Sequence, residues 1–431
     1  MRLIAFFVIA VLGGVIAASS PASPGAAPRA PGASPSEPAP PDDLCAGLVT
    51  DRKARTVQQM ARPPLLTPVD DPAFGSRIIR ITDSKEGEVV KPVYSTIQAW
   101  NADESLLLLW HRQRGHQLYD GRTYAHLRDL DLESPTDLEQ VFWDPLDPDI
   151  LYYPSDYEAR PRLMRYRVSQ KKSELVRDFR KEPTRCPVDW DARLSGGGDP
   201  MDMSWGPERV IGLMCGQTKF LYSIAEDEVL AQIGVDGDLA PIPTWDGSLA
   251  YLHGRVLDGR LQVQRELDLV NRYEHASLGR GQSGPIYAAV DFDGYPPGTL
   301  VAHDMRTGRK TPVIAESNGW PYPPSGTHVS GVARSGPAGW FAVSVVGDPF
   351  RTCLLCQELL LANVDTGAVC RVAHHRSWAG EGHWGYWAEP HVVLSPSGTR
   401  LLFASDWGNG TSVDAYVVEL PAYGDRQGRG H

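Results

Sequence analysis

The chain has 431 residues, a formal net charge of −11, 42% hydrophobic and 22% charged residues, 42 glycines and 36 prolines. That length accommodates one large domain or two average ones, and the apolar fraction is that of a folded protein. The acidic balance argues against a nucleic-acid partner and against long-range attraction of an acidic polymer, so an anionic ligand has to be met by local cations.

Met1-Arg2 precedes an apolar run from Leu3 to Ala18 that ends on small residues. The run is shorter than the ~20 residues a spanning helix needs. Residues 1–18 therefore read as a secretory signal, with an uncleaved N-terminal anchor as the alternative. The expected location is secreted or periplasmic, with no stable membrane insertion after export. Residues 19–43 are Pro, Ala and Ser with little charge, a composition that predicts a flexible, partly polyproline tether. An N-terminal extension follows over 44–74, where Thr50 to Ala61 is the one helical candidate.

From 75 to 421 the recurring unit is a short apolar strand, a turn built on Asp, Gly or Pro, and a second apolar strand. Seven units are legible. The first three are Ala99–Asp103 into Leu106–Trp110, Phe142–Pro145 into Ile150–Tyr153, and Met203–Pro207 into Val210–Met214. Next come Pro243–Gly247 into Leu249–His253, and Ala288–Phe292 through Asp293-Gly294 into Thr299–His303. The last two are Val329–Ala333 into Trp340–Val345, and Val392 to Ala404 around Ser395-Pro396-Ser397-Gly398. The spacing predicts an all-β, seven-bladed β-propeller of four-stranded antiparallel blades. Arg77–Thr82 is expected to pair with the last blade and close the ring without a free edge. Residues 422–431 read as a tail.

The six cysteines, Cys45, Cys186, Cys215, Cys353, Cys356 and Cys370, are an even number in a chain expected to be exported, which implies disulfides. Cys353-Leu-Leu-Cys356 has no companion CxxC for a zinc ribbon and leads into a strand rather than a redox-active helix. The expected bridge is Cys186 with Cys215. The basic stretch from Arg160 to Arg185 reads as the solvated face of a hairpin, or alternatively as a landing patch for an anionic chain.

The first strand of each propeller blade lines the central channel. Residues at the starts of those strands therefore converge from distant parts of the sequence. They read Tyr94, Ser95 and Gln98 in the first blade, Glu139 and Gln140 in the second, Asp199 and Asp202 in the third, and Gln282 in the fifth. His328 comes from the sixth, and His375, Arg376, Glu389 and His391 from the seventh. Glu389-Pro390-His391 places two ligands on the same face of an extended segment. With His328 the set is two imidazoles and a carboxylate, which suits a divalent first-row metal with open positions; a hydrogen-bonded structural role is the alternative for each histidine. Trp320, Tyr322, Trp378, Trp384, Tyr386 and Trp387 are rings on which a sugar stacks, or fillers between blades. His111 and His116, beside Arg112 and Arg114, follow a second strand and read toward the opposite rim or an outer turn.

His375-Arg376-Ser377-Trp378, Glu389-Pro390-His391, Leu394–Gly398 and Leu402–Asp406 together resemble the last blade of oligogalacturonate lyases, whose S-P-x-G turn is shared with TolB-like propellers. The resemblance runs over residues 374–420 plus His328. It implies a secreted or periplasmic seven-bladed propeller that cleaves uronates by β-elimination with a Mn-type divalent metal. That family carries Q-x-x-H-P-H ahead of F-S-P-D-G, and a further metal-binding His in the preceding blade. Here His391 takes the second His, Glu389 replaces the first, Tyr386 stands at the Gln, and His328 takes the preceding-blade position. The family's catalytic His in the fifth blade has no secure counterpart; His275 is the nearest. The implied assignments are His328, Glu389 and His391 for the metal, with His375 as base and Arg376 as the cation on the uronate carboxylate. Trp378, Tyr386, Trp387, Tyr94 and Gln98 would bind an acidic oligo- or polysaccharide. Alternatives are a non-catalytic glycan- or protein-binding propeller, and a glycoside hydrolase using Glu389 or Glu139 with Asp202.

Overall fold

The computed structural model describes residues 43–190, 193–199, 201–269, 275–291, 299–320 and 327–423. The signal segment, all of the tether but its last residue, most of the tail and Tyr322 lie outside the described residues. The described chain forms seven antiparallel sheets arranged as the blades of a seven-bladed β-propeller. Among the described residues five sheets have four strands. The third has three, with Met203 bridging Ile211 in the inner position, and the last has five. Because blades stack face to face, strands such as Trp340–Val345, Glu358–Asn363 and Arg400–Ser405 are buried on both sides and read as near-continuous apolar runs. No helix among the described residues is long and apolar enough to cross a bilayer.

Closure follows the expected route. Arg77–Arg80 pairs antiparallel with Asp414–Glu419, the strand next out from Arg400–Ser405, and Pro68–Asp70 adds a fifth strand outside it. The buried Asp414 carboxylate fastens this seam: it accepts from Thr82 Oγ1 and the Ser84 amide, both at 2.8 Å, and lies 3.2 and 3.3 Å from the guanidinium nitrogens of Arg62 and Arg80.

The extension differs from expectation, because Thr50 to Ala61 is not a helix but an irregular strap laid on the propeller. The segment lacks an apolar stripe, and its polar groups have better partners on the sheets. Arg371, fully buried, donates to both oxygens of Glu358 (2.7 and 2.6 Å) and to the Lys53 carbonyl at 2.7 Å. The Trp407 indole donates to the Met60 carbonyl at 2.9 Å. A disulfide between Cys45 and Cys370 pins the start of the strap across 325 residues of sequence. The expected Cys186–Cys215 bridge is present, and Cys353 bonds Cys356.

The basic hairpin is the solvated face. Arg165 and Arg167 share Glu174, while Arg162 meets Glu133, Arg177 meets Asp227 and Arg180 meets Asp178.

The long covalent loop gives the strap a measurable role. Replacing Cys370 by Ser, with Cys45 also changed to Ser, is expected to lower unfolding stability by about 2–5 kcal/mol. Urea denaturation of variant and parent checks this; coincident curves would mean that the latch is dispensable.

Candidate functional site

The site is built by contacts between the innermost strands. The Gly331 amide donates to Ser277 Oγ at 2.8 Å, joining the fifth and sixth blades, and the Leu394 amide donates to Ser330 Oγ at 3.2 Å, joining the sixth and seventh. Gln98 spans three blades: its Nε2 donates to the carbonyls of Val332 (2.8 Å) and Leu394 (3.0 Å), while its Oε1 accepts from the Trp100 amide. A Cβ at position 331 would lie 2.5 Å from the Leu278 carbonyl oxygen, so only glycine allows this approach of the two strands. The inner strands are thereby held in register, and the residues that precede or begin them gather at one end of the channel.

There His328, Glu389 and His391 each offer one ligand atom, and these atoms lie within 4.8 Å of one another. Glu389 Oε2 is 3.7 Å from His328 Nε2 and 4.0 Å from His391 Nε2. The two imidazoles are buried with ring centroids 4.0 Å apart, and His275 stacks on the other side of His328 at 4.4 Å. His391 Nδ1 is 2.8 Å from its own neighbour's carbonyl, Glu389 O, which assigns the proton to Nδ1 and leaves the Nε2 lone pair facing the cluster. His391 also has a backbone φ of 42°. That left-handed conformation costs a non-glycine residue of order 1–3 kcal/mol and is typical of functional positions. Among the described residues neither ring nitrogen of His328 has a hydrogen-bond partner, although both are buried. Burial pushes both histidines well below their usual range, so both are neutral and ligand-competent at pH 7. Two neutral imidazoles, one of them with both nitrogens unpartnered among the described residues, and one carboxylate form a donor set that fits a divalent first-row ion.

Around this trio lies a second layer from the first three blades. Lys91 is fully buried, with Nζ 3.4 Å from His391 Nε2 and 4.4 Å above the Tyr386 ring. Burial pulls it down to about 8 against the opposing pull of Glu139 and Glu389. Tyr94 packs its ring 5.4 Å from His328 and 5.2 Å from His391, and its hydroxyl donates to Asp199 at 2.6 Å. Burial raises Asp199 to about 7, although the Tyr94 hydrogen bond opposes the shift. Burial likewise raises Glu139 and Glu389. Tyr386 donates to Glu139, linking the loop before the seventh blade to the second blade.

Several sequence-selected residues lie elsewhere. His375 and Arg376 follow Val369–His374, the outermost strand of the sixth blade, rather than starting an inner strand. His375 is buried with Nε2 2.8 Å from the Val345 carbonyl and Nδ1 accepting from the Ser377 amide at 2.9 Å, and burial lowers it to about 3. With both nitrogens engaged it is not placed to act as a base. Arg376 is paired with buried Asp71 at 2.9 Å and lies over Trp407. Trp378 packs edge-on against Phe350, and Trp320 lies under Arg52. Gln98 is taken up by the strand contacts above rather than being free for a ligand. Asp202 is committed to Arg334 at 3.3 Å. Gln282 sits in the turn after Ala276–Arg280, at the far end of the channel-lining strand. That strand, not Ala288–Phe292, is innermost in the fifth blade, which is why His275 precedes it. The first blade likewise begins at Val90–Lys91, earlier than its apolar turn pattern suggests, which is how Lys91 escaped notice. The same pairing sets His111 opposite Val90, so the Arg112 turn is on the face of the site and not on the opposite rim. His116, lowered to about 4 by burial, is bound to the Leu138 carbonyl.

No family model matches the chain, and no curated protein matches it. Among solved structures, an oligogalacturonate lyase from Vibrio parahaemolyticus is similar at a TM-score of 0.56 and 13% identity, covering 86% of this chain and 98% of that one. An oligogalacturonate lyase in complex with manganese is similar at a TM-score of 0.53 and 16% identity, covering 86% and 99%. The chain thus resembles these propellers over most of its length, well beyond the C-terminal segment; at such identities the likeness is one of fold.

Titration with Mn(II) separates ligand from scaffold. His391→Ala is expected to weaken binding by roughly 100-fold or more. His375→Ala should leave affinity within a few-fold while lowering unfolding stability by about 2–4 kcal/mol through its two lost hydrogen bonds. Calorimetry and urea unfolding of both variants read the two effects independently.

Proposed function

We propose that this protein is an exported propeller that binds an acidic oligosaccharide of the oligogalacturonate class at the axial site and cleaves it by β-elimination. The observation that carries this reading is the convergence of His328, Glu389 and His391 with the buried cation Lys91 on one end of the channel. A divalent ion held by those three residues would supply Lewis-acid polarisation of the uronate carboxylate.

The remaining tasks fall to the chain's own side chains. Lys91 Nζ lies 3.4 Å from His391 Nε2, the nitrogen that would hold the ion, so its ammonium is the chain's own cation beside the place a substrate carboxylate would take. There it stabilises the negative charge that develops as the proton alpha to that carboxylate is removed. His275, half-buried and stacked on His328, replaces His375 as the assigned base. It takes that proton, the electron pair forms the new carbon–carbon double bond, and the bond to the leaving glycosidic oxygen breaks. Asp199, which burial raises to about 7 and so leaves partly protonated, is assigned the return of a proton to the leaving oxygen, passed on through the Tyr94 hydroxyl that it hydrogen-bonds. Tyr386, which is exposed, supplies aromatic surface for the sugar, and Trp387 braces it edge-on. Hydrolysis by paired carboxylates is less well supported, because Asp202 is held by Arg334.

The test is incubation of Mn-loaded protein with oligogalacturonates, following the ultraviolet absorbance of the unsaturated product. Wild-type turnover should fall ~100- to 1,000-fold in Lys91→Met and by at least as much in His275→Asn. Lys91 carries its charge below its folded value of about 8. The rate should therefore decline on the alkaline side at about pH 8 or below, and Lys91→Arg should move that decline upward. A flat trace despite tight oligosaccharide binding would instead leave a glycan-binding propeller.

A further inference from the structure

We infer that Arg112, mounted on Trp387, forms a second subsite that takes the carboxylate of an adjacent acidic sugar, so that the preferred ligand carries at least two neighbouring uronates. This rests on the proposed axial binding of a uronate, and it extends that site outward along the boundary between the seventh and first blades.

Three layers make the subsite. Trp110, buried in the first blade, stacks on Trp387 with centroids 5.3 Å apart and planes at 20°, which fixes the indole from beneath. The Arg112 guanidinium lies 4.9 Å from the centre of the same indole. Its backbone is fixed as well: the Arg112 amide donates to the Val89 carbonyl at 3.0 Å, and the next residue, Gln113, donates its side-chain amide to the Gly87 carbonyl. Arg112 is exposed, and among the described residues no carboxylate lies within ion-pair distance of it. Glu88, the nearby acid, accepts from the Lys85 amide and faces His111 instead.

A guanidinium stacked on a ring keeps its N–H edge free for two parallel bonds to a carboxylate, and its orientation has already been restricted. Arg112 also shares its platform with the axial site. Lys91 Nζ is 5.9 Å from the same Trp387 centre, and Tyr386 packs edge-on against that indole at 5.4 Å. Two cations thus flank one aromatic strip, the inner one buried beside the candidate metal ligands and the outer one open to solvent. An oligomer with a carboxylate on each successive residue can meet both, whereas a single uronate or an esterified oligomer cannot. In a chain with net charge −11, such paired local cations are what permit an acidic ligand to dock.

The test uses the Mn-loaded His275→Asn protein, so that the probe is not consumed, with calorimetric titration of galacturonate, trigalacturonate and fully methyl-esterified trigalacturonate. The trimer should bind more tightly than the monomer or the ester. Adding Arg112→Gln should weaken the trimer roughly tenfold and leave the monomer unchanged, and Arg112→Lys should recover part of the loss. If trimer affinity is the same with and without Arg112, the subsite is wrong while the axial reading stands. If the trimer binds no better than its ester even with Arg112 present, the acidic-oligomer reading fails with it.

Discussion

The site depends on the hydrogen bonds that tie the innermost strands to one another. Ser277, Ser330 and Gln98 each reach from one blade to the backbone of another, and Gln98 reaches two. Each bond contributes only about 1 kcal/mol, yet breaking one strands a buried carbonyl or amide at a cost of ~1–3 kcal/mol. Because strand side chains alternate, a one-residue slip of any inner strand would turn its histidine away from the channel. The registry of the propeller axis and the assembly of the imidazoles are therefore the same physical event. The tightness at Gly331 belongs to it, since a side chain there would part the fifth and sixth blades just below His275 and His328.

Burial determines the electrostatics of what the strands assemble. It keeps the imidazoles of His328 and His391 neutral, pulls the Lys91 ammonium toward neutrality and pushes Asp199, Glu139 and Glu389 toward their protonated forms. All these groups are shifted toward the uncharged state because the pocket is poorly solvated. Clusters of this kind mark sites where a protein holds ligands or moves protons. Here the same desolvation would strengthen any charge brought in by a ligand. The left-handed backbone at His391 stores strain at the residue that joins the ligand trio to Lys91.

Much of the fold was legible because its signals are local. Apolar pairs around Asp, Gly and Pro turns repeat at blade spacing, and the closing strand Arg77–Thr82 stands one unit ahead of the first repeat. The convergence of His328, Glu389 and His391 was legible for the same reason, since Glu389-Pro390-His391 and His328 sit directly before or at the start of recognisable inner strands. What escaped lies where a strand is short or interrupted. The inner strand of the first blade is only Val90–Lys91 before an irregular stretch, so counting from Trp100 placed its start too late. In the fifth blade Gly281–Gly284 is a tight turn between two strands of similar composition, and taking the second for the first displaced His275 from the channel. His375 misled in the opposite way. Its neighbourhood resembles a strand start, but the outer strand of the preceding blade runs on to His374 and leaves it at a crossing. The strap was illegible as such, because its partners are supplied by sheets some three hundred residues away.

The closing seam has a consequence for how the molecule comes into being. Arg77–Arg80 joins the last blade only through Asp414–Glu419, more than three hundred residues away in sequence. Until that strand has been made, Arg77–Arg80 has only the short Pro68–Asp70 strand beside it, and the ring stays open through six blades. Contacts of such sequence separation form late and slowly. The latch from Cys45 to Cys370 comes one step earlier, because Cys370 lies in Val369–His374, the outer strand of the sixth blade. Cys186–Cys215 and Cys353–Cys356 close over short stretches, whereas oxidation before Val369–His374 has been made leaves Cys45 without its native partner; the latch therefore precedes the last strand and the seam follows it.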